Sequence, residues 1–334
     1  MKTVALFGAT GTIGAYAALH LRECGYKVVA IGHRSSDNGF FAQYGIDYYS
    51  VDISNRNNFE NLPQTRVDAV VHLAGMLPAR MVGYCPQQYI DSIVTGTYNV
   101  LEYVHKCGAD RIVFTQSISD AAYLCGQTKC LIPSDIESRF PINNDHTIYA
   151  ICKNAAVGLL EHYYAKYGIK RFILRLPNIY LYHPNPFFYL DGKVKMIPYR
   201  QMIYWALQGK KLCVWGNPQI KRDIVYVKDC TQVIEKALEA SVDGGMYNVG
   251  TGVGVSMEDQ VKGIALVFGK GKVDVSYDPS KPDSPQYILD ISKTCRELGY
   301  LPRYDYMSYL EDFKKEMKIN RFKLLWGEEF KTQI

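Results

Sequence analysis

The chain lacks most of the features that mark membrane-spanning, metal-stapled, fibrous or disordered proteins. No apolar run in its 334 residues approaches the roughly 18–20 that a membrane span needs. No C-x-x-C spacing occurs among its nine scattered cysteines, and Cys125 and Cys130 have no adjacent Cys/His pair to complete a zinc site. No metal is therefore expected, and the cysteines read as reduced thiols of a cytoplasmic protein. Low-complexity stretches and internal repeats are missing too, which excludes fibrous and disordered classes. A leader is not expected, because Met1-Lys2-Thr3 runs directly into a strand and a glycine-rich turn. The chain also lacks a broad basic field. Of its net charge of +5, the stretch Lys314–Ile334 carries six basic and three acidic residues, or +3, leaving +2 for residues 1–313. A general nucleic-acid binder is excluded on that count.

What is present is a chain long enough for a large core without metal or disulfide staples. Its first half alternates two periods. Short apolar runs at Val4–Phe7, Lys27–Ile31, Asp68–Leu73, Arg111–Thr115 and Arg171–Arg175 read as strands. Helical patterns at Ile13–Cys24, Gln88–Cys107 and Tyr149–Tyr167 separate them. Continuous apolar strands divided by helices predict an α/β fold, a doubly wound parallel Rossmann sheet with right-handed crossovers. After Pro177 the rhythm breaks into prolines (Pro184, Pro186, Pro198, Pro218) and aromatic clusters suited to pocket walls. A strand at Asp223–Val227 and a helix at Val233–Ala240 then return, and a closing helix is expected near Tyr306–Met317. The expected division is a dinucleotide-binding domain of residues 1–177 plus about 223–250, with a smaller discontinuous C-terminal substrate lobe of 178–222 plus about 251–316. A basic tail, 317–334, follows. Phe313, Met317 and Leu324 fall near one helical face, so the tail is read as a docked helix, with a membrane-surface or partner anchor as the alternative.

Gly8-Ala9-Thr10-Gly11-Thr12-Ile13-Gly14 joins the first strand to the first helix. Glycines there permit a tight turn and close backbone approach to a pyrophosphate, which the helix N-terminus attracts. The second strand would choose the dinucleotide. It ends in Gly32-His33-Arg34-Ser35 with no acid at the tip, where an NAD site usually carries a carboxylate. A guanidinium at Arg34, helped by Ser35, favours a 2′-phosphate, so NADP(H) is expected ahead of NAD(H). Asp52, followed by Ile53, is placed to accept from the adenine amino group.

Tyr-x-x-x-Lys occurs three times, at Tyr149/Lys153, Tyr189/Lys193 and Tyr277/Lys281. Only Tyr149 opens a helical pattern, where positions i and i+4 share a face; the others are expected in loops. A phenol titrates near 10 and needs a neighbouring cation to act as a proton shuttle at neutral pH. Lys153 and a cationic nicotinamide would supply that charge, Lys153 would also hold the nicotinamide ribose, and Tyr149 would exchange a proton with a sugar hydroxyl or ketone. Ser117 stands at the end of a strand, where ligands gather in open α/β sheets. Ser119, two residues on, competes for the same role.

The ordered motifs Gly8-x-x-Gly11-x-x-Gly14, Asp52, His72-Leu73-Ala74-Gly75, Ser117, Tyr149-x-x-x-Lys153, Leu174–Tyr180, Arg222–Val227, Tyr247–Gly250 and Asp290–Lys293 resemble those of the extended short-chain dehydrogenases/reductases. Within these the chain resembles the NAD-dependent epimerase/dehydratase family, over about residues 1–316. The resemblance implies a nucleotide-sugar substrate, a homodimer and a role in polysaccharide or glycoconjugate synthesis. It adds Leu73, Ala74, Gly75 and Pro177 to the dinucleotide site. Asn178 would contact the substrate and Arg222 its diphosphate, with Lys281 nearest to the position of a second phosphate-binding arginine. Ile118-Ser119 fills the positions of the Asp-Glu pair of 4,6-dehydratases, which disfavours dehydration. His183 matches the offset of a catalytic histidine in GDP-fucose synthases and reads as an acid or a pocket wall. The reaction expected is epimerisation or oxidoreduction of a nucleotide sugar; a 4-keto sugar reductase and a catalytically silent dinucleotide sensor or scaffold are the alternatives.

Overall fold

In a computed structural model of the protein, which describes residues 1–126, 131–142, 146–190, 192–270 and 272–328, the apolar runs form one sheet. Cys130 and residues 329–334 of the tail lie outside the described residues. The strands are β1 (Thr3–Phe7), β2 (Lys27–Gly32), β3 (Asp47–Ser50), β4 (Ala69–His72), β5 (Arg111–Ser117), β6 (Lys170–Leu176) and β7 (Gly244–Asn248). They pair in the order β7-β6-β5-β4-β1-β2-β3, all parallel. The order reverses between β1 and β4, the switch point at which such sheets bind ligands.

Alternation along β1 explains why the sheet is covered on both sides. Val4 and Leu6 enter one core with helix α1 (Thr12–Glu23), while Ala5 and Phe7 enter a second core on the other face. That second core holds α2 (Gly96–Lys106) and α3 (His146–Tyr167). The helix expected at Gln88–Cys107 has three parts: an α-turn at Pro86–Tyr89, a π-helical run at Ile90–Thr95, and α2. The change falls where Gly96 rides against Ile53; a Cβ there would come within 2.6 Å of Ile53 Cδ1.

The strand expected at Asp223–Val227 is divided into Lys221–Asp223 and Val225–Tyr226. Between them the fully buried Asp223 carboxylate takes hydrogen bonds from Thr251 N, Gly252 N and Leu289 N. The helix expected at Val233 starts six residues earlier, as α4 (Val227–Glu239). Its polar first turns are buried because Asp229 accepts from the backbone of Arg303 and Tyr304. Short two-stranded pairs surround these segments: Ile179–Tyr180 with Val225–Tyr226, Phe187–Leu190 with Lys193–Met196, Leu212–Trp215 with Val275–Asp278, and Lys221–Asp223 with Gly254–Ser256.

The closing helix, Tyr306–Ile319, is capped by Asp305 and stopped at Asn320, whose φ of 43° is left-handed. The chain then turns into Lys323–Trp326. That turn resets the helical register, so Phe322 and Leu325 are buried beside Phe313 while Leu324 faces solvent. Of the face expected from Phe313, Met317 and Leu324, the first two pack on the core and Leu324 does not. Among the described residues no helix is long and apolar enough to cross a membrane.

Candidate active site

The glycine turn is shaped by contact. Gly8 has φ +86°, and a Cβ there would lie 2.7 Å from Ala74 N, so only glycine lets the end of β4 at Leu73–Ala74 close against it. A Cβ at Gly14 would lie 2.0 Å from Gly8 O. The N–H groups of Gly8 and Ala9 both donate to Ile31 O, tying the turn to the end of β2. Helix α1 begins at Thr12 with Gly11 as its N-cap, no capping side chain and no acid in its first turn. The first N–H groups, at Thr12 and Ile13, are thus left for an anion. These residues fit the pyrophosphate of a dinucleotide.

Three further pieces meet at this end of the sheet. Leu73, Ala74 and Gly75 leave β4 partly exposed, and Ile53 is buried beneath the π-helical run. Asp52 is exposed, with Oδ1 accepting from both Ser54 N (3.0 Å) and Ser54 Oγ (2.7 Å). Pro177 is buried at the end of β6 and Asn178 is exposed beside it.

On α3, Tyr149 and Lys153 face the end of β5. Lys153 Nζ donates to Thr115 O at 2.7 Å and lies 4.5 Å from the centre of the Phe114 ring and 6.0 Å from that of Tyr149. Burial pushes the lysine down to about 7. Burial pushes the Tyr149 phenol up to about 12, against a hydrogen bond from Ser117, with Tyr89 adding to the rise. In the protein without its dinucleotide the lowering expected from Lys153 and a cationic nicotinamide is not seen: burial dominates, and the lysine is itself pushed toward its neutral form. Ser117 is also the N-cap of the turn Ile118–Leu124, its Oγ accepting from Ser119 N at 3.2 Å. Of the two competing hydroxyls, Ser117 meets Tyr149; Ser119 Oγ is buried with no hydrogen-bond partner. Tyr189 and Lys193 lie on a hairpin and Tyr277 on a strand, so neither of the other Tyr-x-x-x-Lys pairs is helical.

The family model described as NAD dependent epimerase/dehydratase matches residues 4–250. The chain belongs to this family. It is 26% identical over 337 residues to UDP-glucose 4-epimerase 2 of Oryza sativa subsp. japonica, covering 91% of this chain and 79% of that one. Its fold is similar to that of a Thermotoga maritima UDP-glucose 4-epimerase solved with UDP-glucose (TM-score 0.76, 23% identity, 95% and 99% of the chains). It is similar as well to a Bacillus cereus UDP-glucuronic acid 4-epimerase (TM-score 0.71, 22% identity, 94% and 99%). The latter complex holds NAD, as do two further solved relatives.

Those complexes overturn the expectation of NADP(H). The geometry of this epimerase/dehydratase chain supplies a physical reason. Arg34 Nη1 donates to the main-chain carbonyl of Leu325 at 2.7 Å, so one guanidinium donor of the residue read as a 2′-phosphate ligand is directed to the chain's own C-terminal segment. His33 and Ser35 stand exposed beside it.

The remaining candidates of this epimerase/dehydratase chain are spread along the second lobe. His183 Nδ1 is paired with the backbone of Asn185, and the ring lies against Trp326 with centroids 4.4 Å apart. Burial first, then Arg80, pushes it down to about 3. That shift favours the neutral imidazole near pH 7. Arg222 Nε donates to Pro285 O and its guanidinium sits 5.8 Å from the Tyr287 ring centre. Lys281 is exposed, 5.7 Å from the centre of the Trp215 ring. Among the described residues no cluster of His, Cys, Asp or Glu is placed to hold a metal.

Sequence reasoning missed two features. Arg175, on β6, is fully buried and grips Asp120 through Nε (2.9 and 3.2 Å) and Nη2 (3.0 Å). Its Nη1 donates to Ser134 O and Asn248 Oδ1. An arginine inside the apolar run Phe172-Ile173-Leu174-Arg175-Leu176 was the available signal, since a buried cation requires a partner. Asp120 itself lies in the turn Ile118–Leu124 that follows Ser117. The second is Trp326, whose Nε1–H donates to Thr10 O at 3.0 Å. No local pattern announces a contact spanning 316 positions.

Proposed function

We propose that the chain is an NAD(H)-dependent epimerase acting on a nucleotide-activated sugar, with Tyr149 as acid/base. The observation that carries this is the meeting of Ser117, Tyr149 and Lys153 at the end of β5, beside the glycine turn and across the switch point of the sheet. A silent dinucleotide binder has no need of that trio. Bound NAD supplies the acceptor and donor of a hydride. Tyr149 Oη takes the proton of the sugar hydroxyl as its carbon becomes a ketone, and returns it when the ketone is reduced from the other side. Ser117 donates a hydrogen bond to the same oxygen. Lys153 holds the ribose next to the nicotinamide, and its charge, added to that of the oxidised ring, favours the phenolate that burial opposes. Asn178 would contact the sugar and Arg222 its diphosphate. Dehydration is disfavoured, because Ile118-Ser119 provides no free acid/base pair and Asp120 is bound to Arg175. The named relatives support the epimerase reading, since UDP-glucose and UDP-glucuronic acid 4-epimerases are among them.

The test is incubation of the protein with a panel of UDP-sugars, with and without added NADH, followed by NMR. An epimer appearing with no net change in nicotinamide absorbance is expected; stoichiometric NADH consumption would indicate a ketoreductase instead. Tyr149→Phe should lower kcat by about 10²–10⁴-fold while NAD remains bound. Full turnover in that variant would sink the mechanism.

A further inference from the structure

Residues 320–327 reach the mouth of the dinucleotide site from the far end of the chain. Three pieces of chain, distant in sequence, receive them. Trp326 Nε1–H donates to Thr10 O in the glycine turn (3.0 Å). Leu325 O and Leu324 O accept from Arg34 Nη1 (2.7 Å) and Asn38 Nδ2 (3.1 Å), both beyond the tip of β2. The Trp326 ring lies on His183, in the segment after β6 that leads into the substrate lobe. The segment is anchored underneath by Phe322, whose ring is 4.5 Å from Tyr16 of α1 and 5.6 Å from Phe40. Arg321 pairs with the buried Glu316 at 2.6 Å, which fastens its N-terminal end.

The places touched are the turn that would hold the pyrophosphate, the strand tip that would hold the adenosine ribose, and the loop facing the sugar. The contact at Thr10 is to its carbonyl, while the N–H groups at the start of α1 have no side-chain cap. The segment therefore borders the anion site without filling it. We propose that residues 320–327 are a retaining strap for NAD, with Trp326 as its clasp and Arg34 as its anchor, and that the strap must lift before the dinucleotide leaves. Arg34 thereby acts as a positioning residue for the strap rather than as a phosphate ligand. This rests on the epimerase reading, in which the same NAD molecule is reduced and reoxidised in each turnover and slow release is useful.

The test uses the full-length protein loaded with NADH, whose fluorescence is followed as excess NAD⁺ chases it off. Trp326→Phe keeps an aromatic ring, though a smaller one, and removes the donor; release should be about fivefold faster, the effect of one hydrogen bond. Trp326→Ala and Arg34→Ala should each release NADH about tenfold faster or more, by loss of ring contact or anchor. Because both act on one strap, the double variant should be no faster than the faster single one. Thermal unfolding of the unloaded Trp326→Phe protein should remain a single cooperative transition, lowered by no more than the loss of one hydrogen bond, which separates a strap from a general loss of structure. Unchanged release in Trp326→Ala and Arg34→Ala, slower release in either, or rates that multiply in the double variant would overturn the strap. A wild-type protein that binds no NADH at all would overturn the cofactor reading and the strap with it.

Discussion

Single buried groups in this protein are governed by desolvation more than by their charged neighbours. Tyr149 rises, Lys153 falls, and His72 falls to about 3, because each is pushed toward its neutral form. His72 is fully buried, its Nε2 sharing a hydrogen bond with Thr97 Oγ1 at 3.0 Å, and Lys153 adds to the lowering. Its folded-state pKa lies below its unfolded value of 6.5. Its contribution to stability is therefore complete above that unfolded value and declines as the pH falls toward the folded one. At about pH 5 the loss should be about 2 kcal/mol. Urea unfolding at neutral pH and at about pH 5 should show this decline in the wild type and a shallower one in His72→Asn. Equal declines would mean that other groups carry the acid sensitivity. The same competition between burial and charge explains why Tyr-x-x-x-Lys was readable as a motif while the pKa of its tyrosine was not. Spacing on a helix is local, but desolvation depends on what the rest of the chain places over it.

At the scale of elements, the turn Ile118–Leu124 after Ser117 is tied to β6 and β7 by a buried ion pair. Asp120 is pushed up by burial and drawn back by Arg175, and Asn248 Oδ1 on β7 takes another of the guanidinium's donors. Removing one partner strands a buried charge. Asp120→Asn should cost about 3–5 kcal/mol, read from the denaturant midpoint. Asp120→Leu with Arg175→Met removes both charges and should recover part of that loss. A double variant as unstable as the single one would show that packing, not charge, holds the turn. β1, β2, β4, β5 and β6 followed the sequence closely because each is an apolar run, whereas β3, Asp47-Tyr48-Tyr49-Ser50, carries no such run. The departures came where polar residues are buried by distant partners. Asp223 breaks a strand in two because it collects backbone donors from two loops. Asp229 admits two extra polar turns to α4 by capping the backbone of Arg303 and Tyr304.

Across the whole molecule the C-terminal segment joins the substrate side to the dinucleotide side. Glu316, nearly inaccessible, receives both Lys228 of α4 (3.0 Å) and Arg321 (2.6 Å), while Phe322 and Leu325 complete the core over α1. A chain ending at Ile319 would lose both buried side chains, and burial of each contributes about 1.5–3 kcal/mol. Such a truncation should lower unfolding free energy by about 3–6 kcal/mol, an upper range because unfolded chains bury some apolar surface. A truncated protein as stable as the full chain would show that residues 320–328 pack without contributing to the fold. The amino-acid sequence by itself determined the parallel sheet, the glycine turn and the helical Tyr149/Lys153 pair, since periodicity, turn chemistry and i,i+4 spacing are properties of neighbouring residues. Even the net charge was legible, with more than half of it in the terminal piece. Only the tertiary structure decided what those tail residues and Arg34 do. Arg34 looked like a phosphate ligand until the fold brought the Leu325 carbonyl, 291 positions away, to its guanidinium. A hydrogen bond of that span is set by the packing of Phe322 and Leu325 against the core, and no local pattern encodes it.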